Sequence, residues 1–175
     1  CPFDALGSTM ATYGAQNVGA SRYDRLNKGL YSASLMGFGY SLLAFGVAWF
    51  FGRSLTGLFV SGGSSAQLVE LAQTYMITNV LAYPLLTLVN VVRFMIQGMG
   101  FSMFAILAGV MEMAARSLAG MFLVPALGYF GAALGSPLAW VAADLFLVPA
   151  YFRCRRVLMS QSHHLHVMGE SAESN

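Results

Sequence analysis

Four long stretches of this chain are almost free of charged residues, and together they fill most of its 175 residues. Each supplies the roughly 20 apolar residues that an α helix needs to cross about 30 Å of hydrocarbon. Only helices and closed barrels satisfy their own backbone hydrogen bonds in lipid, and these stretches lack the alternation of barrel strands. The sequence therefore predicts an all-α membrane protein with full transmembrane helices at residues 29–52, 71–97, 101–127 and 130–152.

The composition agrees with a membrane location. Hydrophobic residues make up 57% of the chain and charged residues only 9%, whereas about 25% of a soluble domain is charged. The mean hydropathy is +0.65. A water-soluble domain built around a large apolar core is the weaker interpretation.

A fifth apolar segment, at residues 1–20, precedes the four spans and is too short to cross a bilayer alone. It is typical of the end of a transmembrane helix. Because the sequence begins at Cys1 rather than Met and has no cleavable signal peptide, we expect the chain to be a piece of a longer protein.

Positive charge predicts the orientation. Three basic residues fall within 22–28, before the first full span, and three fall within 153–156, after the last. The positive-inside rule places both groups in the cytoplasm, and four crossings between them satisfy this. The connection at 53–70 is then external. The transmembrane part would occupy 1–159, and we expect a disordered cytoplasmic tail at 160–175.

Prolines and glycines predict irregularities within the spans. Pro84 should kink the helix at 71–97, because its ring removes a backbone hydrogen bond; the kink is either architectural or part of a transport pathway. Gly131 and Gly135 form a GxxxG pair that favours close helix contact. Polar residues surround the kink and would line a wet face or bond between helices: Thr74, Tyr75, Thr78, Asn79, Thr87 and Asn90.

Four charged residues lie inside the predicted spans. Glu112 and Arg116 are spaced i, i+4, so their side chains should meet on one helical face. Arg93 lies near a helix end, where it could extend to the interface. Asp144 has no basic neighbour at i±3 or i±4, so it must pair across helices or face water. For Glu112 and Arg116, a structural ion pair and a role in ion coupling both stay open.

Enzymatic chemistry is not expected. The sequence has no nucleotide-binding glycine loop and no Ser/His/Asp arrangement, and the spans contain no His/Cys ligand set for a metal. We expect no bound cofactor and no nucleic-acid partner.

Several segments in the same order resemble one transporter family. Residues 9–20 (TMATYGAQNVGA) and 22–29 (RYDRLNKG) are similar to the G-Q-N-x-G-A segment and basic loop of the multidrug and toxic compound extrusion (MATE) transporters. Gln97 to Gly100 resembles that family's L-R-G-x-G turn, with Gln97 where many members carry Arg. Residues 108–116 and 137–144 resemble its eleventh and twelfth helices, so the resemblance covers about residues 3–157.

The resemblance implies a fold of twelve helices in two lobes. This chain would be the carboxy-terminal lobe from the end of the eighth helix onward, and its partner would be the missing amino-terminal lobe. The implied activity is export of drugs and organic cations across the cell membrane, driven by Na+ or H+ entry. Sodium-using members carry an acidic residue in the tenth helix, but the corresponding position here falls near Leu86, so the ion is not identified.

The tenth helix contributes to the family's cavity wall, so the resemblance favours Tyr75, Asn79 and Tyr83 as substrate contacts. Two other functions stay open. A lipid-linked oligosaccharide flippase of the same superfamily would need a strongly cationic cavity, for which the spans offer only Arg93 and Arg116. A truncated, non-transporting membrane remnant is the third interpretation.

Overall fold

The computed structural model describes residues 2–59 and 65–173, with side chains for 2–58 and 66–162. This part of the chain forms six α helices: α1 (Pro2–Gly19), α2 (Tyr23–Phe59), α3 (Ser65–Leu81), α4 (Tyr83–Gly98), α5 (Ser102–Leu127) and α6 (Tyr129–Glu173). The prediction of an all-α protein is confirmed.

Three of the described helices, α2, α5 and α6, are each long and apolar enough to cross a membrane. Helices α3 and α4 pass the same test together and are bent by 47° where they meet. Counted as one broken span, they bring the number of candidate crossings to four, as the sequence predicts. The much shorter α1 is not among them.

Two helices run well beyond their predicted ends. Helix α2 begins at Tyr23 and continues to Phe59, and α6 continues to Glu173, through most of the tail predicted to be disordered. Apolar composition marks the part of a helix that fits the bilayer, whereas the helix itself ends only where Pro, Gly or a capping residue stops it. Residues 174 and 175, and 60–64 in the connection between α2 and α3, lie outside the described residues.

Most of the best-buried side chains belong to α4 and α6, which pack against each other. The two helices contribute Val89, Val91, Met95, Ile96, Leu147, Tyr151 and Cys154, each no more than 2% exposed. Helix α5 packs along α6 and α4 but buries only Ala108 and Ala119. Its remaining apolar side chains, such as Met113 and Phe122, are largely exposed, as expected for a helix that faces lipid.

Helix α1 lies against α4 with very little space between the backbones. A Cβ atom at Gly98 would collide with the backbone of Ala11, and one at Gly14 would lie 3.2 Å from the Met95 carbonyl oxygen. Small residues at these two positions therefore permit the close helix crossing. Of the predicted GxxxG pair, Gly131 packs against the Leu123 backbone in α5, whereas Gly135 has open space around it.

Candidate functional site

The break between α3 and α4 is produced locally by Pro84. The proline occupies the first turn of α4, where the missing N–H group costs least. It cannot donate to the carbonyl of Val80, so the α3 hydrogen-bond ladder ends there, and the Ala82 N–H instead donates to the Asn79 carbonyl at 3.0 Å. The predicted kink is confirmed, with its break at Ala82, two residues before the proline.

The polar side chains before the break bond mainly to their own helix. The Thr78 hydroxyl donates to the Thr74 carbonyl at 2.8 Å, and the Asn79 amide donates to the Tyr75 carbonyl at 2.9 Å. Beyond the break, Thr87 is fully buried and lies 3.5 Å from the Ser41 hydroxyl of α2. Both hydroxyls already donate within their own helices, Thr87 to the Tyr83 carbonyl at 3.1 Å and Ser41 to the Gly37 carbonyl at 2.8 Å, so Thr87 and Ser41 pack together without a strong hydrogen bond between them.

The three tyrosine and asparagine candidates occupy different environments. Tyr75 is 43% exposed, and its ring centroid is 6.4 Å from that of Tyr129, which is exposed to the same extent. Asn79 is buried at 9% exposure. Tyr83 is half-buried between Phe3 and Trp140, with centroid distances of 5.3 and 6.4 Å. The structure thus places Tyr75 at an open surface and Tyr83 inside an aromatic cluster.

A cluster of three charged residues joins α4 and α5. Arg116 Nη2 donates to Glu112 Oε1 at 2.9 Å, as the i, i+4 spacing predicts. Arg93 of α4 lies 3.6 Å from the other carboxylate oxygen, Oε2. One carboxylate thus lies within 4 Å of two guanidinium groups, one from its own helix and one from α4.

Gly109 makes room for the Arg93 guanidinium. A Cβ atom built on Gly109 would lie 3.0 Å from Arg93 Nη2, closer than an ordinary van der Waals contact. The same face of α5 borders an open cavity of about 400 Å³, lined by Gly109, Glu112, Met113, Arg116 and Ser117. The arginine side chains are 24% (Arg93) and 51% (Arg116) exposed, against 18% for Glu112.

Asp144 occupies a different setting in the middle of α6. The residue is 8% exposed, and neither carboxyl oxygen has a hydrogen-bond partner among the described residues. It borders a cavity of about 370 Å³ whose other lining residues are Leu85, Val141, Leu145, Val148 and Pro149. Asp144, which the sequence predicted to pair across helices or face water, therefore has neither a partner nor exposed carboxyl oxygens in the described structure and lies among apolar groups.

The structure brings together some of the candidates and separates others. Glu112, Arg116 and Arg93 form one cluster; Asp144 has no bond to any of them. Sequence reasoning missed the partners of the tyrosines, namely Tyr129, Trp140 and Phe3, because they come from helices distant in sequence. Within the described residues, no three His, Cys, Asp or Glu side chains are grouped as a metal site would need.

Comparison with known proteins gives a match to a family model. The MatE family model matches residues 2–113, which comprise α1 to α4 and the first half of α5. No curated protein and no solved structure matches the chain. Since the family match covers more than half of the chain and includes the segments that carry the resemblance at 9–29 and 97–100, the chain belongs to the MATE family of transporters.

Proposed function

We propose that this chain is the part of the carboxy-terminal lobe from the end of the eighth helix onward in an exporter of drugs and organic cations, coupled to the entry of Na+ or H+. The rest of that lobe and an amino-terminal lobe of six helices would complete a cavity open alternately to each side of the cell membrane. Family membership supports transport in general. The exposed pair Tyr75 and Tyr129, beside the broken helix α3–α4, is the observation that supports a cationic substrate.

Aromatic ring faces attract cations with about 0.5 to 2 kcal/mol, most strongly where water is excluded. Tyr75 and Tyr129 present two such faces from different helices, with an interplanar angle of 55°. An organic cation with an apolar body would gain both ring contact and cation–π attraction between them. Broken helices are also where transporters commonly place their substrate sites.

Asn79 and Tyr83 would then act behind this surface. The Asn79 amide bonds to the Tyr75 carbonyl and so supports the helix turn that carries Tyr75. Tyr83 links the start of α4 to Phe3 in α1 and Trp140 in α6. In the proposed lobe, a change at the break would be transmitted through Tyr83 to those two helices.

A flippase for a lipid-linked pyrophosphate is the weaker alternative. Such a substrate needs several unpaired cationic groups, because proteins bind phosphates with arginine guanidinium and lysine ammonium groups. Here Arg93 and Arg116 both lie within 4 Å of the Glu112 carboxylate. The cluster therefore carries a net charge of only +1 and offers a weak phosphate site.

The test is export of a fluorescent organic cation from cells, normalised to the amount of transporter in the membrane. We expect Tyr75→Ala to lower the apparent affinity by about threefold to tenfold, the loss of roughly 1 kcal/mol of ring attraction. Tyr31→Ala is the matched control, since Tyr31 is also exposed, at 72%, but lies on α2. Equal effects of the two variants would count against a site at Tyr75.

We also propose that the carboxy terminus is cytoplasmic, with the α2–α3 connection outside. Native Cys154 is only 1% exposed and would be a poor reporter, so both cysteines are first replaced. An impermeant thiol reagent should then label Ser64→Cys in intact cells and leave Met159→Cys unlabelled until the cells are opened. Labelling of Met159→Cys from outside would reverse this orientation.

A further inference from the structure

Asp144 is the one described acidic residue whose carboxyl group is wholly enclosed and has no hydrogen-bond partner. Each of its oxygens is shielded from solvent, and the residue as a whole is 8% exposed. An ionised carboxylate needs donors or a counter-charge when it leaves water, and without them the cost is several kcal/mol. The neutral acid loses far less on burial.

The helices packed against α6 offer no counter-charge to this carboxyl group. Helix α4 carries Arg93 and α5 carries Arg116, but both pair with Glu112. Tyr83 packs against Trp140, one turn before Asp144. The remaining charged residues of the neighbouring helices make no hydrogen bond or ion pair with Asp144 in the described chain: Glu70 of α3 and Asp24, Arg25, Lys28 and Arg53 of α2.

The surroundings also fit a proton better than a metal cation. Hard cations are held by several oxygen ligands at once, and the side chains that line the cavity with Asp144 are aliphatic or proline. A proton needs no further ligand. It converts the carboxylate into a neutral group that an apolar enclosure tolerates.

We propose that Asp144 is a proton-binding site, occupied in this conformation, at which the transporter takes up and releases its coupling proton. The role in coupling rests on the proposed function, whereas proton binding itself does not. Release of the proton would leave an ion that the enclosure cannot stabilise, so deprotonation would favour a conformation in which water or a donor reaches the carboxylate.

The cavity beside Asp144 provides the place for that change. Its volume of about 370 Å³ exceeds the roughly 30 Å³ that one water occupies. Pro149 has no N–H group to donate to the Leu145 carbonyl, so the helix has one backbone hydrogen bond fewer where these two residues line the cavity. Leu85 of α4 lines the other side of this cavity. It directly follows Pro84, the residue that produces the break between α3 and α4. The cavity is already open, so movement at the break would need only to bring the shielded carboxyl oxygens of Asp144 into it, where water would hydrate them.

Infrared spectroscopy of the purified full-length protein tests proton binding without transport. At neutral pH the wild type should show the C=O stretch of a protonated carboxyl group. The band should lose intensity in Asp144→Asn and keep it in Glu70→Gln, the control that removes an exposed acid. A wild type without the band, or an undiminished band in Asp144→Asn, would overturn the proposal.

Transport in proteoliposomes tests coupling. An imposed pH gradient without Na+ should drive uptake of a fluorescent cation by the wild type, and Asp144→Asn should lose about tenfold or more of this uptake. Exchange of cation at equal concentrations should survive in Asp144→Asn. Uptake driven by a Na+ gradient alone would overturn the coupling role of Asp144. A wild type that moves no cation under either gradient would refute the proposed function and leave the infrared result to decide proton binding.

Discussion

Glu112 and Asp144 are both acidic residues on long apolar helices, but the protein accommodates them in opposite ways. Glu112 accepts from Arg116 in its own helix and lies within 4 Å of Arg93 from α4. Asp144 has neither a donor nor a counter-charge among the described residues, and its oxygens are enclosed. The first carboxyl group has two cationic partners. The second has none, and we propose that it is held as the neutral acid.

This difference distinguishes a charge that is held permanently in an ion pair from a carboxyl group that can gain or lose a proton. An ion pair in the membrane is costly to break, because each stranded charge costs about 2.5 to 3.5 kcal/mol on insertion scales. A neutral buried acid can gain or lose its charge when its surroundings change. We therefore interpret the Arg93–Glu112–Arg116 cluster as a fixed link between α4 and α5, and Asp144 as a site that changes state.

The largest effect should follow from Glu112→Gln. The substitution leaves two guanidinium groups without a carboxylate, and because both are partly exposed we expect a loss of about 2 to 3 kcal/mol. The measurement is the amount of folded protein in the membrane by fluorescence-detected gel filtration. Asp144→Asn should stay near the wild-type level in the same assay, and an equal loss in both variants would erase the distinction between the two sites.

The same assay separates the contributions of the two arginines. If Arg116 were the sole partner, Glu112→Gln with Arg116→Gln would recover most of the protein. Because Arg93 also lies 3.6 Å from Glu112, we expect full recovery only when Arg93→Gln is added. Full recovery in the double variant would show that Arg93 does not depend on Glu112.

A smaller effect is expected from Gly109→Leu. The new side chain would occupy the space of the Arg93 guanidinium, which lies 3.0 Å from the position of a Cβ atom, and overpacking of this kind costs about 1 to 3 kcal/mol. Gly120→Leu is the matched control on the same helix, since nothing lies within 4 Å of a Cβ atom there. Thermal unfolding in detergent should show a lower midpoint for Gly109→Leu alone. Similar midpoints would mean that Arg93 adopts another position at little cost.

The smallest change in stability should come from Asp144→Leu, and it should be a gain rather than a loss. Replacing a buried polar group without partners by an apolar side chain often leaves the free energy of unfolding unchanged or raises it by about 1 kcal/mol or more. We expect an unchanged or higher unfolding midpoint, together with lost proton-driven uptake. A strong loss of stability would instead indicate that Asp144 has a partner and belongs with Glu112 as a structural charge.

The fold could be predicted because the bilayer imposes a strong and simple constraint. Some 20 apolar residues in a row already specify a helix, and Pro84 alone specified the bend. The ends of α2 and α6 were harder, since residues such as Lys28 and Arg53 are polar enough to leave the bilayer without ending a helix. Spacing within one helix also predicted the bond between Glu112 and Arg116.

The site itself was less predictable, because its contacts join residues far apart in the chain. Arg93 is near Glu112 only because α4 packs beside α5, and Tyr75 meets Tyr129 only because the start of α6 lies beside α3. The sequence also could not show that Asp144 lacks hydrogen-bond partners. A sequence can show that no basic residue lies one turn away, but it does not show what the other helices place opposite.

The close crossing of α1 and α4 has a consequence for how the protein is made. Gly98, which packs against the backbone of Ala11, emerges from the ribosome long after Ala11 itself. At about 5 to 20 residues per second, the delay is on the order of 5 to 20 s. During this time α1 lacks its contact with α4, so the close crossing at Gly98 can form only after α4 has been synthesised.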